Sequence, residues 1–276
     1  MRMPFELFVA LRYLFSRRKQ TFIYIISIMS ILGVALGVGA LVVVLGVYNG
    51  LTTDMRDKII GANAHGIVMS YVPAAFQQHP DLVRRVEAVE HVRGATPFIY
   101  TEVMLSAAGG VKGLVLRGID PESAPKVLSM LREIRRGSVT DLKREGTPGI
   151  VIGEELAKRL GIGLGSRVNL LSPSGEKGAT GYSPRIRPFE VVGIFKTGMF
   201  EYDSSLGFIS LAAARDLLGL PSDQISGIEV TVKDVYKADT VAAALQKELG
   251  PLASVRTWMD MNANLFAALK LEKIGM

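Results

Sequence analysis

The 276-residue chain predicts an α+β protein with one membrane-spanning helix near the N-terminus, followed by a domain of two small α/β lobes. Three observations carry that reading. Residues 20–53, 34 in all, hold no formal charge, although 21% of the whole chain is charged. From about residue 65, short β-branched runs alternate with helix-like runs. The chain has no cysteine, so neither disulfides nor thiolate metal sites staple it.

Taken in order, residues 4–16 read as a short amphipathic helix. Leu7, Leu11, Leu14 and Phe15 fall on one side, a pattern suited to the inner membrane interface. Residues 21–47 then supply 27 apolar or uncharged positions, where a bilayer core needs about 20. Arg17, Arg18 and Lys19 flank the start of this run, and 54–58 is balanced. The positive-inside rule therefore places the N-terminus in the cytoplasm and everything after Asn49 outside. The rival is a cleaved signal, with an apolar core of about 7–15 residues and a small-x-small site. The run is longer than that, and no such site follows Val47.

The span contains "LGVALGVGALVVVLGV", with four glycines, although a glycine inside a helix costs roughly 1 kcal/mol relative to alanine. Ser27, Ser30, Gly33, Gly37 and Ala40 recur at spacings of 3, 3, 4 and 3, which makes one stripe of small residues. Such a stripe lets a second helix approach closely in lipid. The alternative is a plain anchor with incidental glycines.

Charge is distributed unevenly. Of the net +6, residues 1–19 carry +4 (Arg2, Arg12, Arg17, Arg18 and Lys19 against Glu6), leaving +2 for the rest. Nothing resembles the basic, aromatic surface of a nucleic-acid binder. His65, His79 and His91 lack metal-ligand spacing and read as surface or loop residues.

In the outer domain, strands are predicted at 67–71, 96–106, 112–118, 149–152, 167–171, 189–195, 207–210 and 227–232. Helices are predicted at 81–89, 122–130, 153–160, 211–218 and 238–249. Ala107-Ala-Gly-Gly110 suggests a hairpin, and Gly161 a helix stop. Residues 262–276 look helical with no stop signal and read as the approach to a second membrane helix.

A search for chemistry returns no catalytic residue. There is no Walker A, GxSxG, HExxH or EF-hand pattern, and "SGEKGAT" has P-loop composition in the wrong order. Glu154 and Glu155 suit a helix start better than an acid/base pair. A Ser–Lys hydrolase arrangement would need only spatial proximity and stays open.

The most unusual stretch outside the membrane is "SPSGEKGATGYSPRIRP", residues 172–188. Pro173, Ser174, Gly175, Gly178, Gly181, Tyr182, Pro184, Arg185 and Arg187 all fall in it. Long irregular connections in compact domains are functional or disordered. The functional reading is a projecting hairpin that catches a partner, and the plain one is a mobile surface loop.

Several blocks together resemble a known family. They are "PFELFVALRYLFSRRKQTFIYIISIMSILGVALGVGALVVVLGVYNG", "MRDKIIGANAH", "GEELAKRLGIGLGSRVNLLSP", "FEVVGIFKTGMFEYDSSLGFISLAAARDLLGL" and "LFAALKLEKIGM". In order and along essentially the whole chain, they are similar to lipoprotein-releasing ABC transporter permeases of the LolC/LolE type. The later blocks recur in the wider family with MacB-like periplasmic domains.

The resemblance implies a four-helix permease in the bacterial inner membrane, with a two-lobed MacB-like periplasmic domain between its first and second membrane helices. Here that gives an interfacial helix in 1–20, a membrane helix in 21–50, a periplasmic domain in 51–262 and the start of a second membrane helix in 263–276. Three membrane helices of the family are missing, which suggests an N-terminal fragment. Two permeases, identical or paralogous, would pair with an ABC ATPase dimer that binds ATP and Mg, while this chain binds no cofactor. The complex would pass a triacylated lipoprotein from the membrane lipid to a soluble periplasmic carrier.

By the same resemblance, residues 173–188 form a hook that holds the carrier, with Arg185 and Arg187 at its base. The family can also place a basic residue in the preceding strand, where this chain has Asn169. Val43, Val44, Val47, Tyr48 and Leu51 are candidates for the wall of an acyl-chain cavity, or they simply face lipid or a neighbouring helix. Two rival functions stay open, a MacB-like efflux or mechanotransmission subunit and a single-span membrane sensor or binding protein. A membrane-anchored hydrolase ranks last.

Overall fold

The fold begins with two helices, and no proline lies between Pro4 and Pro73 to break them. The computed structural model describes residues 5–14, 21–70, 79–132, 134–178, 181–251 and 253–263; the side chains of 174–183 and of most of 51–62 lie outside that description. The chain divides into two compact units, 1–56 and 57–276.

The first unit holds helix α1 (Phe5–Leu14) and most of helix α2 (Thr21–Ala62). Leu7, Leu11 and Leu14 on the apolar side of α1, and Phe15 after it, lie outside the described side chains. Tyr24–Gly50 is long and apolar enough to cross a membrane, and none of it is buried within the chain. Helix α2 continues twelve residues past Gly50, since 51–60 has neither glycine nor proline.

The second unit follows the pattern expected from the sequence, with β1 (Gly66–Ser70), α3 (His79–Glu87), β2 (Val92–Ala107) and β3 (Gly110–Ile119). The helix expected at 122–130 is broken into α4 (Ala124–Val127) and a 3-10 turn at Ser129–Leu131, because Leu128 between them is extended. Strands β4 (Ile134–Gly137) and β5 (Gly149–Gly153), helix α5 (Glu154–Leu160), and strands β6 (Arg167–Gly178) and β7 (Gly181–Phe195) come next. Then follow α6 (Phe200–Ser205), β8 (Leu206–Ser210), α7 (Leu211–Leu218), β9 (Gly227–Val232), α8 (Ala238–Leu249), β10 (Ala253–Thr257) and α9 (Trp258–Met261). Residues 264–276, expected to begin a second membrane helix, lie outside the described residues.

Ten strands form one sheet, ordered β10-β1-β9-β2-β3-β8-β5-β7-β4, with β6 pairing both β2 and β7. That extra pairing closes a ring, β2-β3-β8-β5-β7-β6 and back to β2, while β9, β1 and β10 extend from it as an open wing. The ring and the wing share β2 within one compact unit, where two lobes were expected.

Both faces of the sheet are buried along its central strands β5, β8 and β9. In β5, Ile150 and Ile152 belong to one apolar core and Val151 to the other. The same alternation separates Ile209 from Phe208 in β8 and Val191 from Val192 in β7. Helices α3, α5, α7 and α8 cover the first core; α4 and the 3-10 turns at Ser129–Leu131 and Thr140–Leu142 cover the second.

Charge enters this interior at Asp203, whose carboxylate caps a turn, and at one ion pair. Glu229 on β9 is 0% exposed, and its Oε1 lies 2.8 Å from Nη2 of Arg117 on β3, which is 13% exposed. Arg117 Nε and Nη1 find no hydrogen-bond partner among the described residues. Burial pushes the Glu229 carboxyl above the ordinary glutamate range, and the nearby guanidinium pulls it back less strongly. His65, in the bend before β1, accepts a hydrogen bond at Nδ1 from the Val232 amide (3.1 Å); burial lowers its pKa and keeps it neutral. It braces the β1–β9 junction.

Three outcomes are expected in thermal or urea unfolding. Arg117→Leu strands the buried carboxylate and lowers stability by about 3–5 kcal/mol. Glu229 favours the fold most fully below the ordinary glutamate value of 4.5, and this contribution fades as pH rises through the higher folded value. The stability lead of wild type over Glu229→Gln therefore shrinks as pH rises above 4.5. Gly153 abuts the Asp203 backbone, so Gly153→Ala overpacks that contact at about 1–3 kcal/mol.

Candidate functional site

Residues 172–178 and 181–188 lie on two antiparallel strands with an interrupted register. Pairing runs from Arg167↔Glu190 to Ser172↔Arg185, breaks, then resumes from Glu176↔Ser183 to Gly178↔Gly181. At the break, 173–175 face the single residue Pro184. Prolines cannot donate to a strand ladder, so Pro173 and Pro184 favour the bulge at that point. Strand β2 supports β6 at Asn169, Leu170 and Leu171 and no further. Beyond Leu171, β7 is the described strand that pairs with β6.

The predicted hook residues are thereby brought onto one hairpin. Pro173, Ser174 and Gly175 lie at the bulge, Gly178 and Gly181 at the last described pair, and Tyr182 opposite Lys177. Residues 179 and 180, and the side chains of Ser174 and Tyr182, lie outside the described structure. Asn169 is opposite Pro188 on one side and Ser106 on the other.

Arg185 and Arg187 are two apart on β7 and so share a face, and both reach the last turn of α7. Arg187 Nε donates to Asp216 Oδ2 at 2.9 Å. Arg185 Nη1 lies 3.5 Å from the Asp216 carbonyl, a long contact. Its guanidinium also fills the space where a side chain at Gly219 would be.

Asp216 was absent from the sequence reading, although it carries a signal. An acidic residue in the last turn of a helix opposes the helix dipole and invites a search for a cation. Beside the hairpin lies an apolar cleft of ≈ 580 Å³, bordered by Met104, Leu114, Val115, Leu171, Pro173 and Pro184.

The other predicted residues belong to α2. Ser27, Ser30, Gly33, Gly37 and Ala40 follow one another along the helix, and a side chain at Gly33 or Gly37 would meet open space. Val43 (63%), Val44 (63%), Val47 (67%) and Tyr48 (39%) are exposed, while the Leu51 side chain lies outside the description. No group of three or more metal-ligating side chains occurs among the described residues.

The MacB-like periplasmic core domain matches residues 27–248. The chain is 33% identical over 269 residues to the lipoprotein-releasing system transmembrane protein LolC of Neisseria meningitidis serogroup B, covering 97% of this chain and 64% of that protein. Against LolE of Haemophilus influenzae it is 23% identical over 280 residues, covering 100% of this chain and 66% of that protein. The periplasmic region of MacB from Actinobacillus actinomycetemcomitans aligns at a TM-score of 0.48 and 13% identity, covering 76% of this chain and 95% of that one. The chain thus spans slightly less than two thirds of these LolC and LolE relatives. With most of its length matched by one domain description, the chain belongs to the family of proteins with a MacB-like periplasmic core domain.

Proposed function

We propose that this chain contributes to the permease subunit of an ABC transporter that extracts lipoproteins from the inner membrane and hands them to a soluble periplasmic carrier. The kinked β6–β7 hairpin with its arginine base carries this reading, supported by relatives named for lipoprotein release. The N-terminus lies in the cytoplasm and the domain after residue 50 in the periplasm, following the basic flank of α2. A separate ATPase dimer binds ATP and Mg and does the hydrolysis, and a second permease, identical or paralogous, completes the complex.

Physical chemistry explains why such a machine needs a hook. Each acyl CH₂ left in water costs about 0.8 kcal/mol, so three chains cannot cross the periplasm bare. A carrier held at the exit receives them without exposure. Val43, Val44, Val47, Tyr48 and Leu51 supply the apolar wall that the chains follow out of the bilayer. The small-residue stripe from Ser27 to Ala40 packs against a neighbouring membrane helix. A MacB-like efflux subunit is the second reading, since the periplasmic domain is common to both.

Photo-cross-linking from position 182 in membranes separates the readings. A small soluble carrier in the adduct is the expected result. A multi-subunit efflux partner would favour the second reading, and an empty lane with a folded domain would defeat both. Removing residues 174–182 should abolish carrier capture while leaving thermal unfolding of the domain in place. For the membrane helix, Gly33→Leu or Gly37→Leu should reduce co-purification of the partner permease without reducing insertion; undiminished co-purification would end the packing assignment.

A further inference from the structure

We infer that Asp216 is a positioning residue for the hook: from the last turn of α7 it holds the Arg187 guanidinium in the orientation that meets the carrier. The inference rests on the carrier-binding reading above and adds to it a residue outside the hairpin.

Asp216 sits where a carboxylate is disfavoured, near the negative end of a helix. What offsets this is Arg187, whose Nε lies 2.9 Å from Oδ2. The same guanidinium is steadied from a second side, since Nη1 donates to the Ile186 carbonyl at 3.3 Å. Arg185, two residues earlier on the same face, covers Gly219, the left-handed cap of α7 with φ +67°. One helix end therefore touches both arginines at the hairpin base.

Stability does not explain the pair. Arg187 is 44% exposed and Asp216 65%, and ion pairs that open to water add little to folding. Orientation does explain it. A guanidinium fixed in advance loses less rotamer freedom when a partner docks, and that freedom is a principal cost of association. Arg187 lies opposite Leu170, just inside the last β2-supported pair, so it is anchored to the ring while the hook extends beyond it.

The test measures affinity for the carrier caught by the position-182 cross-link, using the full chain in detergent or nanodiscs. Asp216→Ala and Asp216→Asn should each weaken binding roughly three- to tenfold. Their unfolding temperatures should match wild type, and Asp216→Glu should restore most of the affinity. Added salt should narrow the gap between wild type and Asp216→Asn, because the lost contact is ionic. A residue that only supported the fold would lower the unfolding temperature along with the affinity.

Unchanged binding in both variants, with hook deletion still abolishing capture, would overturn the inference and spare the hook. Tighter binding would overturn it in the other direction, making Asp216 a competitor for Arg187. Failure of hook deletion to affect capture would remove the carrier-binding reading and the inference with it.

Discussion

Strand β2 must satisfy its backbone hydrogen bonds along sixteen residues, and the rest of the second unit is arranged around how it does so. On one edge β3 pairs with it from Phe98 to Ala107. On the other, β9 takes Val92 to Phe98 and β6 takes Met104 to Ser106. The first of these edge partners brings in the wing and the second closes the ring. Because Leu171 faces Met104 and Asn169 faces Ser106, the point at which β6 loses its third strand is set by the register of β2. The hairpin leaves the sheet there, at the pair of arginines that α7 holds.

Two-sided burial is the second consequence. A sheet covered on both faces needs apolar residues at consecutive positions, and "GIVIG" in β5 supplies five buried residues in a row. Such a sheet has little room for charge, which is why the Arg117–Glu229 pair stands out. Each member alone would be an uncompensated buried ion; together they are tolerated, with the carboxyl shifted toward its neutral form.

Elements with a local signature were legible in the sequence. Helix α8 is found with the expected bounds because Gly250-Pro251 ends it, and α5 ends at Leu160 as expected because Gly161 caps it in the left-handed conformation. Strand β4 was missed because its four residues include two arginines and its place is set by pairing with β7. Helix α6 was missed for a related reason. The buried Asp203 carboxylate, accepting from the Thr197 and Gly198 amides, shapes that turn through contacts a window of sequence does not display. The change of partner along β2, from β9 up to Phe98 to β6 from Met104, was equally invisible, since alternation reports which face a residue takes and not which strand lies beside it. At the candidate site, prolines and glycines marked the hairpin and arginines marked its base. Asp216 escaped because its partner is 29 residues away in the chain.

The prolines have an implication for how the molecule avoids itself. A two-stranded projection with open edges is a template on which other copies can pair strand to strand. Pro173, Pro184 and Pro188 withhold amide donors along it, and the bulge breaks the flat register that stacking requires. Any neighbour that engages this finger must read its side chains and its bend instead of extending its ladder. That difference separates a surface read by its side chains from an edge that merely sticks.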